Sequence, residues 1–135
     1  MRILGIESSC DETAIAILNG EGDNLTIERS IVLSQIQTHE KYGGVVPEVA
    51  AREHLEAMFP MLDREVPFDG AGIDAVAVTA GPGLAPALRV GVQTAKTLAW
   101  AWNKPLVPIC HLEGHVYAAW LGESQPVFPS LCLIV

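Results

Sequence analysis

The sequence has few basic residues and few charges of either sign. Eight Lys and Arg stand against 16 Asp and Glu in 135 residues, which gives a formal net charge of −8 at pH 7. A protein that binds nucleic acid by itself needs a surplus of basic side chains to neutralise phosphates, so the charge argues against that class. Half of the residues are apolar, far more than a disordered chain contains. A chain of this length can therefore bury a core of its own.

Paired cysteines, a signal peptide and long apolar runs are also lacking. Cys10, Cys110 and Cys132 are odd in number and form no CxxC pair, which predicts reduced thiols in a cytoplasmic protein. The N-terminus reaches an acidic residue at position 7, unlike a secretory signal. The uncharged stretch 75–88 is interrupted by Gly-Pro-Gly and is too short to cross a bilayer. We therefore expect no membrane segment.

Short apolar runs separated by polar turns fill the first quarter of the chain. Strands are predicted at 2–6, 14–18 and 25–34. Three strands joined by tight turns predict an antiparallel meander.

The apolar period then becomes helical. Five residues form a stripe at this spacing: Leu55, Met58, Phe59, Leu62 and Val66. Pro60 lies inside the stripe and should kink the helix or end it early. The remaining pattern predicts strands at 74–79, 106–109 and 130–135 and helices at 84–102 and 111–121. The order βββαβαβα, followed by one strand, predicts an α/β fold with a mixed sheet flanked by helices.

The predicted last strand is an apolar run with no turn and no partner strand after it. A native chain rarely exposes such an edge, because it recruits other strands. We therefore interpret the sequence as the front part of a longer protein. The alternative is a strand that completes the sheet.

The segment His111-Leu-Glu-Gly-His115 carries two imidazoles four residues apart. On a helix both would lie on one face and could bind one metal ion. The alternative is a pair of capping or surface histidines. In the HExxH peptidase motif the acid directly follows the first His, whereas Glu113 lies about 200° round the helix from His111. A peptidase base is therefore disfavoured.

Two turns could approach a phosphate. Backbone amides of Ser8-Ser-Cys-Asp-Glu-Thr13 could surround it while Asp11 holds a cation or a water molecule. The alternative is an ordinary turn, which Ser and Asp favour. The segment Ala80-Gly-Pro-Gly-Leu84 lacks the closing Gly-Lys-Ser/Thr of a P-loop, so a structural turn between strand and helix explains it better. Gly43-Gly-Val-Val-Pro47 likewise predicts a turn that leads into a helix.

Taken together, four motifs in this order resemble one family. They are Gly5-Ile-Glu-Ser-Ser-Cys-Asp-Glu-Thr13, Tyr42-Gly-Gly-Val-Val-Pro-Glu-Val-Ala-Ala-Arg-Glu-His54, Thr79-Ala-Gly-Pro-Gly-Leu84 and His111-Leu-Glu-Gly-His115. The family is that of the tRNA threonylcarbamoyladenosine transferases, formerly called O-sialoglycoprotein endopeptidase or glycoprotease. The Gly-Gly-Val-Val-Pro-Glu version resembles the bacterial and organellar branch.

The resemblance implies an actin-like ATPase fold, in which two RNase H-like halves enclose a cleft. Residues 1–110 would form the first half, and 111–135 the metal-binding helix and first strand of a truncated second half. The whole enzyme would transfer threonylcarbamoyl from threonylcarbamoyl-AMP to N6 of the tRNA adenosine next to the anticodon. We expect the fragment alone to be inactive.

The resemblance also implies site residues. His111 and His115 would bind one divalent metal ion, iron or zinc, whose third ligand, an Asp, is missing from this sequence. Ser9, Ile134 and Val135 would contact the nucleotide substrate, threonylcarbamoyl-AMP or ATP. Either Asp11 or Glu12 would accept the proton of the attacking amine.

Partners are implied as well: a shorter paralogous subunit bound through helices of the first half, an ATPase subunit, and tRNA. A homodimer is the alternative. The helix at 84–102 is apolar on several faces, so we expect an outward residue such as Ala95 or Leu98 at the interface. The rival interpretation makes this chain the non-catalytic paralogue, which predicts loss of the histidine pair.

Overall fold

The computed structural model describes residues 1–21, 24–121 and 127–134. The first three strands are β1 (Arg2–Glu7), β2 (Glu12–Glu21) and β3 (Asn24–Ser34). β2 pairs antiparallel with both β1 and β3. The predicted meander is therefore confirmed.

Helices and parallel strands alternate after the meander. The elements are α1 (Ile36–Glu40), α2 (Pro47–Glu65), β4 (Ala75–Gly81), α3 (Ala85–Trp102), β5 (Leu106–Cys110), α4 (His111–Ala118) and a 3₁₀ turn (Ala119–Leu121). The strand order is β3-β2-β1-β4-β5, and β4 runs parallel to both β1 and β5. The α/β fold with a mixed sheet is confirmed. Only α1 was not expected, because five residues show no helical period.

The core lies between one face of the sheet and the two long helices. α2 packs against α3 and β2, while α3 packs against β1, β4 and β5. Leu4 and Ile6 of β1 and Val78 of β4 are buried in this core. Successive residues of a strand point to opposite faces, so Glu7 and Thr79 project from the other face. That face carries the candidate site.

Pro60 does not end α2, which continues to Glu65, so early termination was a wrong prediction. Pro60 is exposed, and the carbonyl that loses its hydrogen bond can therefore bind water. On either side of Pro60 in the helix, residues pack into the core: Met58 before it, and Met61 and Leu62 after it, are buried.

Two predictions about which residues of the helices face outward or inward need correction. Ala95 is 0% exposed and belongs to the core, because it lies on the face of α3 that packs on the sheet. Leu55 and Phe59, expected in the buried stripe of α2, are 52% and 59% exposed. They lie one turn apart on the outer side of the helix.

The predicted strand at 130–135 is wrong for the residues that are described. Residues 130–134 form no strand, and Leu131 and Leu133 are largely exposed. None of the five strands described within 1–21 and 24–121 pairs with these residues. Val135 lies outside the described residues.

The structure bears on two features that the composition analysis considered. Cys10, Cys110 and Cys132 are free thiols. In the described part of the chain, no helix combines the length and apolar character needed to cross a membrane.

Candidate active site

The candidate site lies at the carboxyl ends of β1, β4 and β5, where ligands bind in open α/β sheets. Glu7 is the last residue of β1, Thr79 lies near the end of β4, and His111 directly follows β5. The Thr79 hydroxyl donates a hydrogen bond to Glu7 Oε2 at 2.5 Å. His111 Nδ1 lies 3.4 Å from the same oxygen. Three strand ends thus meet at one carboxylate.

A cavity of about 420 Å³ opens above this carboxylate. Its lining contains Glu7, Ser9, Cys10, Asp11, Glu12, Thr79, His111, Gly114 and His115. Five residues predicted from the sequence are therefore brought together: Ser9, Asp11, Glu12, His111 and His115. Ile134 does not line the cavity, and Val135 falls outside the described chain.

The two histidines converge on one point. Their rings meet edge to face with centroids 4.5 Å apart, and their Nε2 atoms are 3.0 Å apart. Both side chains lie on the same face of α4, as the spacing of four predicts. Two ring nitrogens at this distance can share a hydrogen bond or bind a common ion.

Glu7 determines which nitrogen of His111 carries the proton. Because an ionised carboxylate only accepts hydrogen bonds, His111 Nδ1–H donates toward Glu7. Ser9 Oγ lies 3.2 Å from the same nitrogen. The Nε2 lone pair of His111 is consequently directed toward His115 and the cavity. A carboxylate behind an imidazole is the usual way to orient a metal-binding histidine.

The Glu7 carboxyl is held ionised. Burial would raise its pKa, but hydrogen bonds from Thr79, Ser9 and His111 outweigh burial and hold the pKa below its usual value of 4.5. A permanent negative charge therefore lies behind His111 at neutral pH.

The Ser8 side chain links the turn after β1 to α3 by two hydrogen bonds. Its hydroxyl donates to the Ala87 carbonyl at 2.9 Å and accepts from Gly91 N–H at 3.0 Å. A Cβ atom at Gly91 would lie 2.4 Å from Ser8 Oγ. Glycine at position 91 is therefore required for this contact.

The Gly-Pro-Gly segment packs against the same turn. Leu84 N–H donates to the Ser9 carbonyl at 2.7 Å, and a Cβ at Gly83 would lie 2.6 Å from that oxygen. The structural interpretation of this segment is the one the contacts support.

Cys10 and Asp11 form the outer part of the turn. Burial raises the pKa of the Cys10 thiol, and the neighbouring Asp11 carboxylate raises it further. The raised pKa disfavours the thiolate, which is the form of cysteine that attacks as a nucleophile.

Glu113 is exposed and does not line the cavity. Its position agrees with the prediction that it faces away from the two histidines. Among the described residues, no set of three or more His, Cys, Asp or Glu side chains is arranged to hold a metal ion. The metal role of the pair stays a prediction.

Glu7 and Thr79 are not among the site residues predicted from the sequence. The available signal was a carboxylate at the end of an apolar strand, directly before two serines. Its partner His111 is 104 residues away, so only the folded sheet reveals the contact.

Solved structures of other proteins share this fold. YeaZ from Pseudomonas aeruginosa superposes with a TM-score of 0.57 and 22% identity, over 89% of this chain and 48% of that chain. RuvC from Thermus thermophilus, in complex with a Holliday junction substrate, gives a TM-score of 0.53 and 14% identity, over 88% and 70%. The chain has the RNase H-like fold of the actin-like ATPases, with its site at the carboxyl ends of the parallel strands.

Sequence comparison then identifies the family. The profile of the tRNA N6-adenosine threonylcarbamoyltransferases matches residues 26–135. Proteins of that name from Thermomicrobium roseum and Anaeromyxobacter sp. are each 51% identical over 100% of this chain, which covers 39% and 40% of their lengths. A third, from Synechocystis sp., is 52% identical over 98% of this chain and 38% of its own length. The chain belongs to the tRNA N6-adenosine threonylcarbamoyltransferase family and spans about two fifths of the length of these relatives.

Proposed function

We propose that the full-length protein transfers a threonylcarbamoyl group from threonylcarbamoyl-AMP to N6 of the tRNA adenosine next to the anticodon. The observation that carries the proposal is the single cavity that joins the histidine pair, the Glu7 carboxylate and the Ser9–Glu12 turn. Family membership supports the same reaction. The presence of both histidines disfavours a purely non-catalytic paralogue.

The histidine pair fits a divalent metal ion. Nitrogen ligands lie about 2.0–2.1 Å from such an ion, which is compatible with Nε2 atoms 3.0 Å apart. We propose iron or zinc, because imidazole and carboxylate ligands suit both. When bound, the ion would neutralise negative charge on the phosphate group.

The residues of the chain would do the rest. Backbone N–H groups of the turn would bind the phosphate of the substrate. The N6 amine would attack the carbamoyl carbon, forming a C–N bond while the C–O bond to the phosphate breaks and AMP leaves. The carboxylate of Asp11 or Glu12 would accept the amine proton. Both residues line the cavity.

A transfer assay tests the proposal. Full-length protein, its partner subunits, tRNA and threonylcarbamoyl-AMP are combined, and modified adenosine is measured. His111→Ala should abolish transfer without unfolding the protein, because the side chain is partly exposed. Glu113→Ala is the matched control on the same helix and should retain full activity. Wild-type turnover by His111→Ala would refute the proposed role of the pair.

We also propose where the shorter paralogous subunit binds. An apolar groove of about 330 Å³ lies between α2 and α3, and Leu55, Phe59, Val90 and Leu98 line it. The exposure of Leu55 and Phe59 supports a helical interface with the paralogue, or with a second copy of the chain. In the cytoplasm, an ATPase subunit and tRNA would complete the assembly. Because this chain carries a net charge of −8, the partners or the remaining part of the protein would supply the basic surface.

The groove can be tested with two variants, one that places a charge at an exposed position of α2 and one that places it at a buried position of α3. Phe59→Glu should weaken association with the paralogue in sedimentation and leave the melting temperature near that of the wild type. Ala95→Glu is the contrasting variant, and it should unfold the protein because position 95 is buried. Unchanged association of Phe59→Glu would exclude the groove.

A further inference from the structure

We propose that His54 is a positioning residue of the candidate active site. It fixes the Cys10–Asp11 peptide so that Asp11 N–H faces the cavity, where the phosphate group of the nucleotide would bind. The inference rests on the proposed function, because it places a phosphate in that cavity.

His54 is completely buried, yet it contacts the turn that lines the cavity. It lies on α2 and is 0% exposed. Its Nε2 is 3.1 Å from the Cys10 carbonyl oxygen, and its Nδ1 is 2.7 Å from Thr13 Oγ1. One ring thus joins the core helix to both ends of the turn.

The partners determine the tautomer. A carbonyl oxygen only accepts hydrogen bonds, so His54 Nε2 carries the proton and donates it to Cys10. Nδ1 then accepts from the Thr13 hydroxyl and from Gln35 Nε2, which is 3.2 Å away. Burial lowers the pKa of His54, which keeps the ring neutral.

The ring is held by a chain of further hydrogen bonds. Gln35 Oε1 accepts from Nε2 of His39 at 3.0 Å, and Nδ1 of His39 accepts from Val46 N–H at 3.4 Å. His39 is itself 4% exposed. These hydrogen bonds hold Gln35 from one side and His54 from the other. The imidazole of His54 therefore has little freedom to rotate.

The direction of one carbonyl determines the direction of the next N–H. A trans peptide is planar, so its N–H points opposite to its C=O. The Cys10 carbonyl points toward His54, and Asp11 N–H therefore points away from the core. The two flanking carbonyl groups are fixed as well. The Ser9 carbonyl accepts a hydrogen bond from Leu84 N–H, and the Asp11 carbonyl accepts one from Gln35 N–H. Without His54, the middle peptide can rotate and present a carbonyl oxygen to the phosphate.

Two variants separate the hydrogen bond from the bulk of the ring. The amide of Gln reaches the place of Nε2 and can donate to Cys10, whereas the amide of Asn reaches only the place of Nδ1. Dissociation constants for AMP and for adenosine are measured calorimetrically on the full-length protein. We expect His54→Asn to weaken AMP binding by about tenfold, since it removes support from an N–H that binds an anion. Adenosine binding should not change, and His54→Gln should bind both ligands like the wild type.

The outcomes distinguish failure of the phosphate site from failure of the positioning role of His54. Equal wild-type affinity for AMP and adenosine would overturn the phosphate site itself, and the role of His54 with it. An AMP preference of the same size in the wild type and in His54→Asn would overturn only the role of His54. Equal weakening of AMP and adenosine in His54→Asn, or equal AMP loss in both variants, would also overturn it.

A measurement on the unmodified protein gives an independent test. Imidazole ¹⁵N chemical shifts of full-length protein should assign the Nε2–H tautomer to His54. An Nδ1–H tautomer would overturn the proposal, because His54 could not then donate to Cys10.

Discussion

The four histidines of the chain form two pairs in opposite environments. His39 of α1 and His54 of α2 are buried, and each ring nitrogen has a hydrogen-bond partner. His111 and His115 line an open cavity, and their Nε2 atoms face each other. The first pair is fixed by the protein, whereas the second presents donor atoms to a ligand.

The two histidine pairs differ because their imidazole rings lie in different surroundings. A buried imidazole must satisfy both nitrogens, because an unpaired polar group in the core is costly. An imidazole at the edge of a cavity needs only one nitrogen held, and Glu7 holds Nδ1 of His111. The buried pair therefore shapes the turn, and the open pair is available for chemistry.

The largest expected contrast is in folding stability. His54→Ala should cost about 3 kcal/mol, because it leaves a cavity and unpaired partners at Thr13, Gln35 and Cys10. His115→Ala should change stability by less than about 0.5 kcal/mol, since it removes an exposed side chain. Urea denaturation of the full-length variants measures both. Equal losses would remove the distinction between the pairs.

A smaller effect is expected for Glu7, the residue behind the open pair. Glu7→Gln keeps the size of the side chain but removes the charge that orients His111. Metal affinity should fall by about 10- to 100-fold, as measured by competition with a chromophoric chelator. Asp69→Asn is the control, because that exposed carboxylate lies outside the cavity. Identical affinities of Glu7→Gln and the wild type would show that His111 is oriented by something else.

The smallest effect is a dependence of stability on pH. Burial lowers the pKa of His54, and the hydrogen bond to Cys10 and the charges of Glu7 and Asp11 offset only part of the shift. Below the usual value of 6.5, the unfolded chain binds a proton that the folded protein excludes. The contribution of the neutral His54 ring to folding stability is therefore fully present above pH 6.5, and it falls as the pH drops toward the lowered pKa.

His54→Gln should remove this pH-dependent contribution to folding stability, because Gln does not titrate. The difference in melting temperature between wild type and His54→Gln should narrow as the pH falls below 6.5. A constant difference across that range would mean that His54 binds its proton equally in the folded and unfolded states.

Local patterns predicted much of the fold. Short apolar runs with polar turns between them gave the meander, and helical spacing gave α2 and α3. The motif 111–115 predicted that two imidazoles share one face of a helix, which the geometry confirms. These features depend on residues close in sequence, where period and spacing are decisive.

Features that depend on distant contacts were not predicted. The sequence does not show that Ala95 faces the sheet, because α3 is apolar on more than one side. Glu7 and His111 are 104 residues apart, and Thr13 and His54 are 41 apart. An apolar run such as 130–134 becomes a strand only beside a partner, which the local pattern does not supply.

The proposed metal ligands are the two histidines of the open pair. Elemental analysis of purified full-length protein measures metal binding without relying on catalysis. Wild type and Glu113→Ala should each contain about one equivalent of iron or zinc per chain, whereas His111→Ala and His115→Ala should contain almost none. A full equivalent of metal in either histidine variant, with the protein folded, would contradict the proposed role of the pair.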